Sequence, residues 1–383
     1  MTTTLSLEPP PPPQARRRRR LRRWWVLGWC AAILIGVLAW PTASYVGALT
    51  YPGEASYLVR TVEWVRDHGG GPVVDLLETW WYSRAPTASA PDGASLPSQA
   101  SPLPVRPHDP PPIPVDAPLT PLRGEGRWVV SRMSADGAAA LWTTFERPDP
   151  RHPSIVAGVA RIDQRATRLQ LLAGTTQPDK SQSPDRAQVP SDVRDRLVAT
   201  FNSGFKMIDA HGGFFTVGHA VGALRTGAAS VVIRNNGTAT VGQWGRDVAA
   251  GPDVVAVRQN LDLIVDNARP VAALADNAGN RWGTNKNQTQ YTWRSGLGID
   301  ANGNLLYVGG ANLNLVTLAD ALVHAGAVRG MQLDIHTEMV DFLSYPVGAA
   351  RVATGMKLLP NMAGGVNRYL VPDQRDFFAV TLR

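Results

Sequence analysis

The sequence predicts an α+β fold: a strand-rich domain on a mixed sheet with few helices, preceded by one transmembrane helix and a Pro-rich stalk. Three observations predict it. Short β-rich runs broken by turn residues recur from about Leu122 to the C-terminus. An uncharged apolar run follows an arginine cluster near the N-terminus. A stretch rich in Pro, Ser and Ala lies between them.

Residues 1–23 form an Arg-rich tail expected to be cytoplasmic. The chain of 383 residues carries a net charge of +7, and its first 46 residues supply seven arginines against Glu8, or +6, leaving +1 for the rest. The basic character is therefore local and says nothing about partners of the main domain, and no nucleic-acid partner is expected. A single cysteine, Cys30, rules out an intrachain disulfide. From Trp24 to Leu49 no residue is charged, enough for a helix across ~30 Å of hydrocarbon. Trp24, Trp25 and Tyr45 stand where interfacial aromatics belong, and the arginines orient the C-terminal bulk outward, at the cell membrane. A cleaved signal peptide cut near Ala43 or Ala48 is the rival reading.

Residues 50–83 predict two juxtamembrane helices. Tyr57, Val59, Val62, Trp64 and Val65 give a helical stripe stopped by Gly69–Gly71, and "PVVDLLETWWY" follows. They either lie on the membrane surface or pack on the domain. Residues 84–120 read as an extended spacer.

The domain is assigned to 121–383. "GRWVVSRM", "AALWTTFE", "SIVAGVARI" and "RLQLLAG" read as strands. "ASVVIRNNGTATVGQW" reads as a hairpin turning at Asn236-Gly237, and "RSGLGIDANGNLLYVGG" as another turning at Ala301–Asn304. One helix is expected over Val193–Leu197. A second is expected at "TLADALVHAGAV", with Thr317 and Asp320 as a capping box and Gly326 as its stop, feeding the strand "RGMQLDI".

Four stretches carry candidate chemistry. In "ATFNSGFKMIDAHGGFF" a strand ends in Asn202, Ser203 and Gly204, with Lys206 and His211 among phenylalanines, a mixture suited to sugars and equally to a Gly-rich turn. In "WRSGLGID" the small residues Ser295, Gly296 and Gly298 leave space before Arg294, which could read a phosphate or carboxylate. In "VRQNLDLIVDN", Gln259 and Asn260 could read sugar hydroxyls or close a turn. In "MQLDIHTEMVDF", Asp334, His336 and Glu338 alternate, so a continuing strand would line them up on one face. That row fits a metal site, an acid/base pair or a solvated strand edge.

Taken in order, these stretches resemble the phosphodiester glycosidase family. The family's "FNGGFF" appears as "FNSGF" at Phe201–Phe205 with "GGFF" at Gly212–Phe215, its "RTAIGI" as "RSGLGI" at Arg294–Ile299, and its "LDGGGS" as "LDIHTE" at Leu333–Glu338. "GAASVVIRNNGTATVGQWGRD" also looks like family sequence, and the resemblance spans roughly residues 195–345. It implies hydrolysis of a sugar-1-phosphodiester on the glycosidic side, with Asn202, Arg294 and Asp334 at matching positions. Ile335, His336, Thr337 and Glu338 replace the family's Gly-rich loop. The resulting expectation gives Asp334 and Glu338, or His336 in its place, the acid/base roles and Arg294 the phosphate. Asn202, Ser203, Lys206, His211, Gln259, Asn260 and Ser295 line the substrate. No cofactor is required, though Asp334, His336 and Glu338 could hold a divalent metal. The expected partner is a sugar-phosphate polymer of the envelope. A non-catalytic binder of anionic glycopolymers and a metal-dependent phosphodiesterase cutting the P–O bond are the alternatives.

Overall fold

The computed structural model describes residues 24–25, 27, 29, 39–51, 56–82, 85–93, 96–97, 109–183, 185–283, 290–346 and 355–383. The Arg-rich tail, much of the apolar run 24–49 and residues 98–108 of the Pro-rich segment lie outside them. Among the described residues no helix is long and apolar enough to cross a membrane.

The chain divides into two units. The smaller comprises residues 1–51 and 57–69. In it residues 39–50 are helical and a second helix covers Tyr57–Val65. Tyr45 bonds Thr61 (2.9 Å), Trp64 Nε1 donates to Ser44 Oγ (3.1 Å), and Trp64 stacks on His68. The glycines end this helix as expected, through a turn over Arg66–Gly70.

The larger unit, residues 52–56 and 70–383, begins with the helix Gly71–Tyr82 and holds three sheets. The first has eight strands in the order Val129–Met133, Ala139–Glu146, Ala157–Ile162, Leu305–Leu313, Thr292–Asp300, Ala327–Ile335, Leu263–Asp266 and Arg269–Pro270. The second runs His219–Val221, Phe214–Thr216, Val254–Gln259, Ala229–Arg234, Ala239–Gln243. The third runs Met356–Lys357, Phe342–Ser344, Leu197–Asn202, Phe377–Leu382, Thr167–Leu172. Both expected hairpins form. Gly237, at φ +79°, supplies the backbone conformation that the tight turn needs.

The sheets are not mixed. Every ladder between these strands is antiparallel; the strands Leu305–Leu313 and Ala327–Ile335, joined by a helix, run the same way but are separated by Thr292–Asp300, which pairs antiparallel with both. Residues 191–196 form a 3₁₀ turn rather than an α-helix. Part of the Pro-rich segment packs on the domain. Ile113 is buried, its N–H donates to Gly126 O (2.9 Å), and Trp142 Nε1 donates to Asp109 (2.9 Å).

The helix Leu315–His324 lies against one face of the first sheet and buries Leu315, Leu318, Ala319, Ala321 and Leu322. Gly296 and Gly330 permit this approach, since a Cβ at either would stand 3.0 Å from Leu322 Cδ1. The helix starts one turn earlier than the sequence reading placed it. Asn314 is the N-cap: its Oδ1 accepts from Thr317 N, and Thr317 Oγ1 accepts from Asn314 N, both at 2.9 Å. Asn314→Ala should cost about 1 kcal/mol of stability, read as a lower urea midpoint at unchanged slope. The opposite face of the sheet joins the main core, where Phe201, Tyr307, Phe342 and Phe378 pack as an aromatic cluster.

Candidate functional site

Three segments far apart in sequence meet where the third sheet abuts the first. The Leu197–Asn202 strand is buried throughout and ends on Asn202. Asn202 Nδ2 donates to Ser295 Oγ (2.9 Å) and to Ser203 O (2.9 Å), while its Oδ1 accepts from Tyr307 Oη (3.0 Å) and Asp341 N (3.1 Å). Ser295 Oγ in turn donates to Asp334 O and accepts from Asp334 N, both at 3.2 Å. The amide and the hydroxyl are thereby fully used. Asn202 and Ser295 are the frame that fixes Asp334.

The Asp334 carboxylate takes its own neighbour's N–H, from Ile335 (2.8 Å), on Oδ1 and Arg375 Nη2 (2.8 Å) on Oδ2. Arg375 also donates to Gly204 O (3.1 Å), so it ties the turn after Asn202 to Asp334.

Asp334, His336 and Glu338 do not form a row. The strand stops at Ile335, His336 takes φ +81°, and Met339 N and Val340 N both bond His336 O. A reverse turn replaces the strand, so the alternation rule ends there. Glu338 sits half-buried on this turn, and its main-chain oxygen accepts Arg368 Nη1 (2.8 Å). Among the described residues no group of three or more His, Cys, Asp or Glu side chains is gathered so as to hold a metal.

Arg294 is fully buried. Its Nε donates to Leu313 O (2.9 Å), Nη1 to Gln332 Oε1 (3.1 Å) and Nη2 to Gln290 O (3.2 Å), and burial lowers its pKa to about 9. The small residues after it make room for the helix Leu315–His324 and for Ala327, not for a ligand. Gln259 and Asn260 serve the fold rather than a surface. Gln259 Oε1 accepts Gly213 N and Arg225 N, and Asn260 Nδ2 donates to Gln332 O and Leu333 O (both 2.8 Å). Ser203 is buried, and its hydroxyl has no hydrogen bond among the described residues. Lys206 precedes the one-turn helix Met207–Ala210, and His211, exposed at φ +48°, ends it.

Sequence reasoning passed over the acidic and basic residues that surround this frame. Asp341 is fully buried, and neither carboxylate oxygen has a hydrogen bond among the described residues. Arg368 Nη1 lies 3.8 Å away and donates instead to Glu338 O (2.8 Å), while Arg368 Nε is paired with Asp373 (2.8 Å). Burial, against the pull of Arg368, raises the Asp341 pKa to about 6. Arg258 and Asp376 form a second buried pair at 2.7 Å. The signal was the charged run "PDQRD" directly before the C-terminal strand.

No family model matches the chain, and no curated protein matches it. Solved structures similar to it include the zebrafish N-acetylglucosamine-1-phosphodiester alpha-N-acetylglucosaminidase catalytic domain auto-inhibited by its pro-peptide. That similarity is 12% identity and a TM-score of 0.41 over 66% of this chain and 87% of the other. A hypothetical protein from Synechocystis is similar at 14% identity and a TM-score of 0.38, over 64% of this chain and 63% of its own. Both likenesses are distant.

Proposed function

We propose that the strand-rich domain hydrolyses a sugar-1-phosphodiester on its glycosidic side. The observation that carries the reading is the chain of hydrogen bonds Asn202–Ser295–Asp334, which joins the three motifs of the family resemblance and fixes the main chain of Asp334. Water adds to the anomeric carbon and loses a proton to Asp334. The bond from that carbon to the phosphate oxygen breaks, and the phosphate monoester leaves with the bonding pair. The transition state is oxocarbenium-like, and such reactions usually engage a second carboxyl ~5–9 Å from the first. Glu338, on the turn after Asp334, is assigned that role, with His336 beside it. The apolar run 24–49 would hold the domain on the outer side of the membrane, facing phosphodiester-linked glycopolymers of the envelope.

The test is incubation of the full-length protein with sugar-1-phosphodiesters, including one of N-acetylglucosamine. Release of free sugar is expected, and Asp334→Asn should slow it by about 10²–10⁴-fold. Release of sugar phosphate instead would mean P–O cleavage. Binding without any product would mean a recognition module.

A further inference from the structure

We propose that Arg375 reads the substrate's phosphate and that its ion pair with Asp334 is a latch which the phosphate opens. This rests on the reading of the site given above, and it assigns the anion to a residue that the sequence motifs do not contain.

The Arg375 guanidinium touches three segments of the site. Nη2 reaches Asp334 Oδ2 (2.8 Å) and Gly204 O (3.1 Å), and Nη1 meets Met339 Sδ (3.4 Å) on the turn after Asp334. Its side chain is 13% exposed and that of Asp334 7%, so the pair sits at the edge of the interior, reachable yet poorly screened. The loop carrying Arg375 is held on both sides. Asp373 accepts Arg375 N (2.8 Å) and is paired with Arg368, while Asp376 is paired with Arg258 and its main-chain oxygen accepts Ser203 N (3.3 Å). A guanidinium fixed in this way loses little freedom when it binds an anion. Arg294, by contrast, is fully buried and directs its donors to Leu313 O, Gln290 O and Gln332.

The pairing has a consequence for both partners. Asp334 Oδ2 is taken up by Arg375 and Oδ1 by Ile335 N, so both oxygens that could accept a proton are engaged. Arg375 held by Asp334 must exchange one anion for another to bind phosphate. A phosphodiester offers two non-bridging oxygens to the guanidinium edge, a bidentate match. The exchange frees Asp334 Oδ2 from the guanidinium. Ser203 Oγ, buried without a hydrogen bond among the described residues, directly precedes Gly204, whose carbonyl Arg375 engages.

The latch predicts an unusual result: removing the carboxylate should improve anion binding. By calorimetric titration of the full-length protein at low salt with N-acetylglucosamine-1-phosphate, Asp334→Asn is expected to bind about 5- to 10-fold more tightly than wild type. Arg375→Gln should bind at least tenfold more weakly, and Arg375→Lys should fall between. These measurements need no turnover. Tighter binding by Asp334→Asn together with no sugar release by the wild type would leave the latch standing and overturn the hydrolase reading. Sugar release by the wild type with unchanged or weaker binding by Asp334→Asn would overturn the latch alone. Because that variant is read as a gain, a misfolded protein cannot imitate it.

Discussion

Arg258→Met should destabilise the protein by about 3–5 kcal/mol, the cost of leaving a buried charge without its partner. Arg258 and Asp376 are both buried, and Nε lies 2.7 Å from Oδ2. The same guanidinium donates to Gln259 O (2.6 Å) and to Phe205 O. Methionine fills much of the volume but strands the carboxylate and removes the donor from two carbonyls. The loss is a large share of the 5–15 kcal/mol typical of a folded domain. Urea unfolding followed by tryptophan fluorescence measures it. The double variant Arg258→Met/Asp376→Leu should recover most of the loss, since an apolar pair avoids the desolvation of both charges. A single-variant loss below about 1 kcal/mol would show that water reaches Asp376 readily. The substitution also bears on the site, because Phe205 follows the Asn202 turn and Asp376 follows Arg375.

Strand positions were legible because short apolar runs and turn residues are local signals. The Asn236-Gly237 hairpin and the strand over Ala157–Ile162 need nothing from the rest of the chain. The end of the strand at Ile335 was not legible. "LDIHTE" continues the alternating pattern, and only the left-handed turn at His336 shows that the three titratable residues part company. The glycines after Arg294 were misread for a related reason. A small residue marks a close approach but does not say by what, and here it is the helix over Leu315–His324. The amides of Gln259 and Asn260 look the same in sequence whether they face a sugar or a carbonyl. The run "PDQRD" marked Arg375 as charged but not its role, and Asp341 and Arg368 gave no sign, because their partners lie far along the chain, Gly204 171 residues from Arg375 and Asn202 139 residues from Asp341, and are brought together only by sheet packing.

Asp341→Asn should do the opposite of most buried substitutions and stabilise the protein at neutral and alkaline pH. Two forces compete at Asp341. Arg368 at 3.8 Å favours the ionised carboxyl, while complete burial without hydrogen bonds to either oxygen among the described residues disfavours it. Asp373 nearby adds repulsion, Lys357 and the Phe342 backbone N–H favour the ionised form, and Tyr307, Tyr345 and Tyr369 are the other titratable groups around it. Burial wins, raising the pKa from 3.8 to about 6. Between those values the folded state holds more protons than the unfolded state. Stability from this group therefore falls as pH rises through the window, and the full penalty is present above pH 6. A shift of about two units corresponds to roughly 3 kcal/mol. Asparagine removes the charge but keeps the backbone N–H that binds Asn202 and the carbonyl that accepts Tyr307 Oη (3.3 Å), so the frame of the site survives. Arg368 retains Asp373. Thermal unfolding should place the variant several degrees above wild type at pH 8, with the difference closing towards pH 4. A variant less stable than wild type at pH 8 would mean that the attraction of Arg368 outweighs the cost of burial, and that Asp341 is an ordinary ion-pair partner.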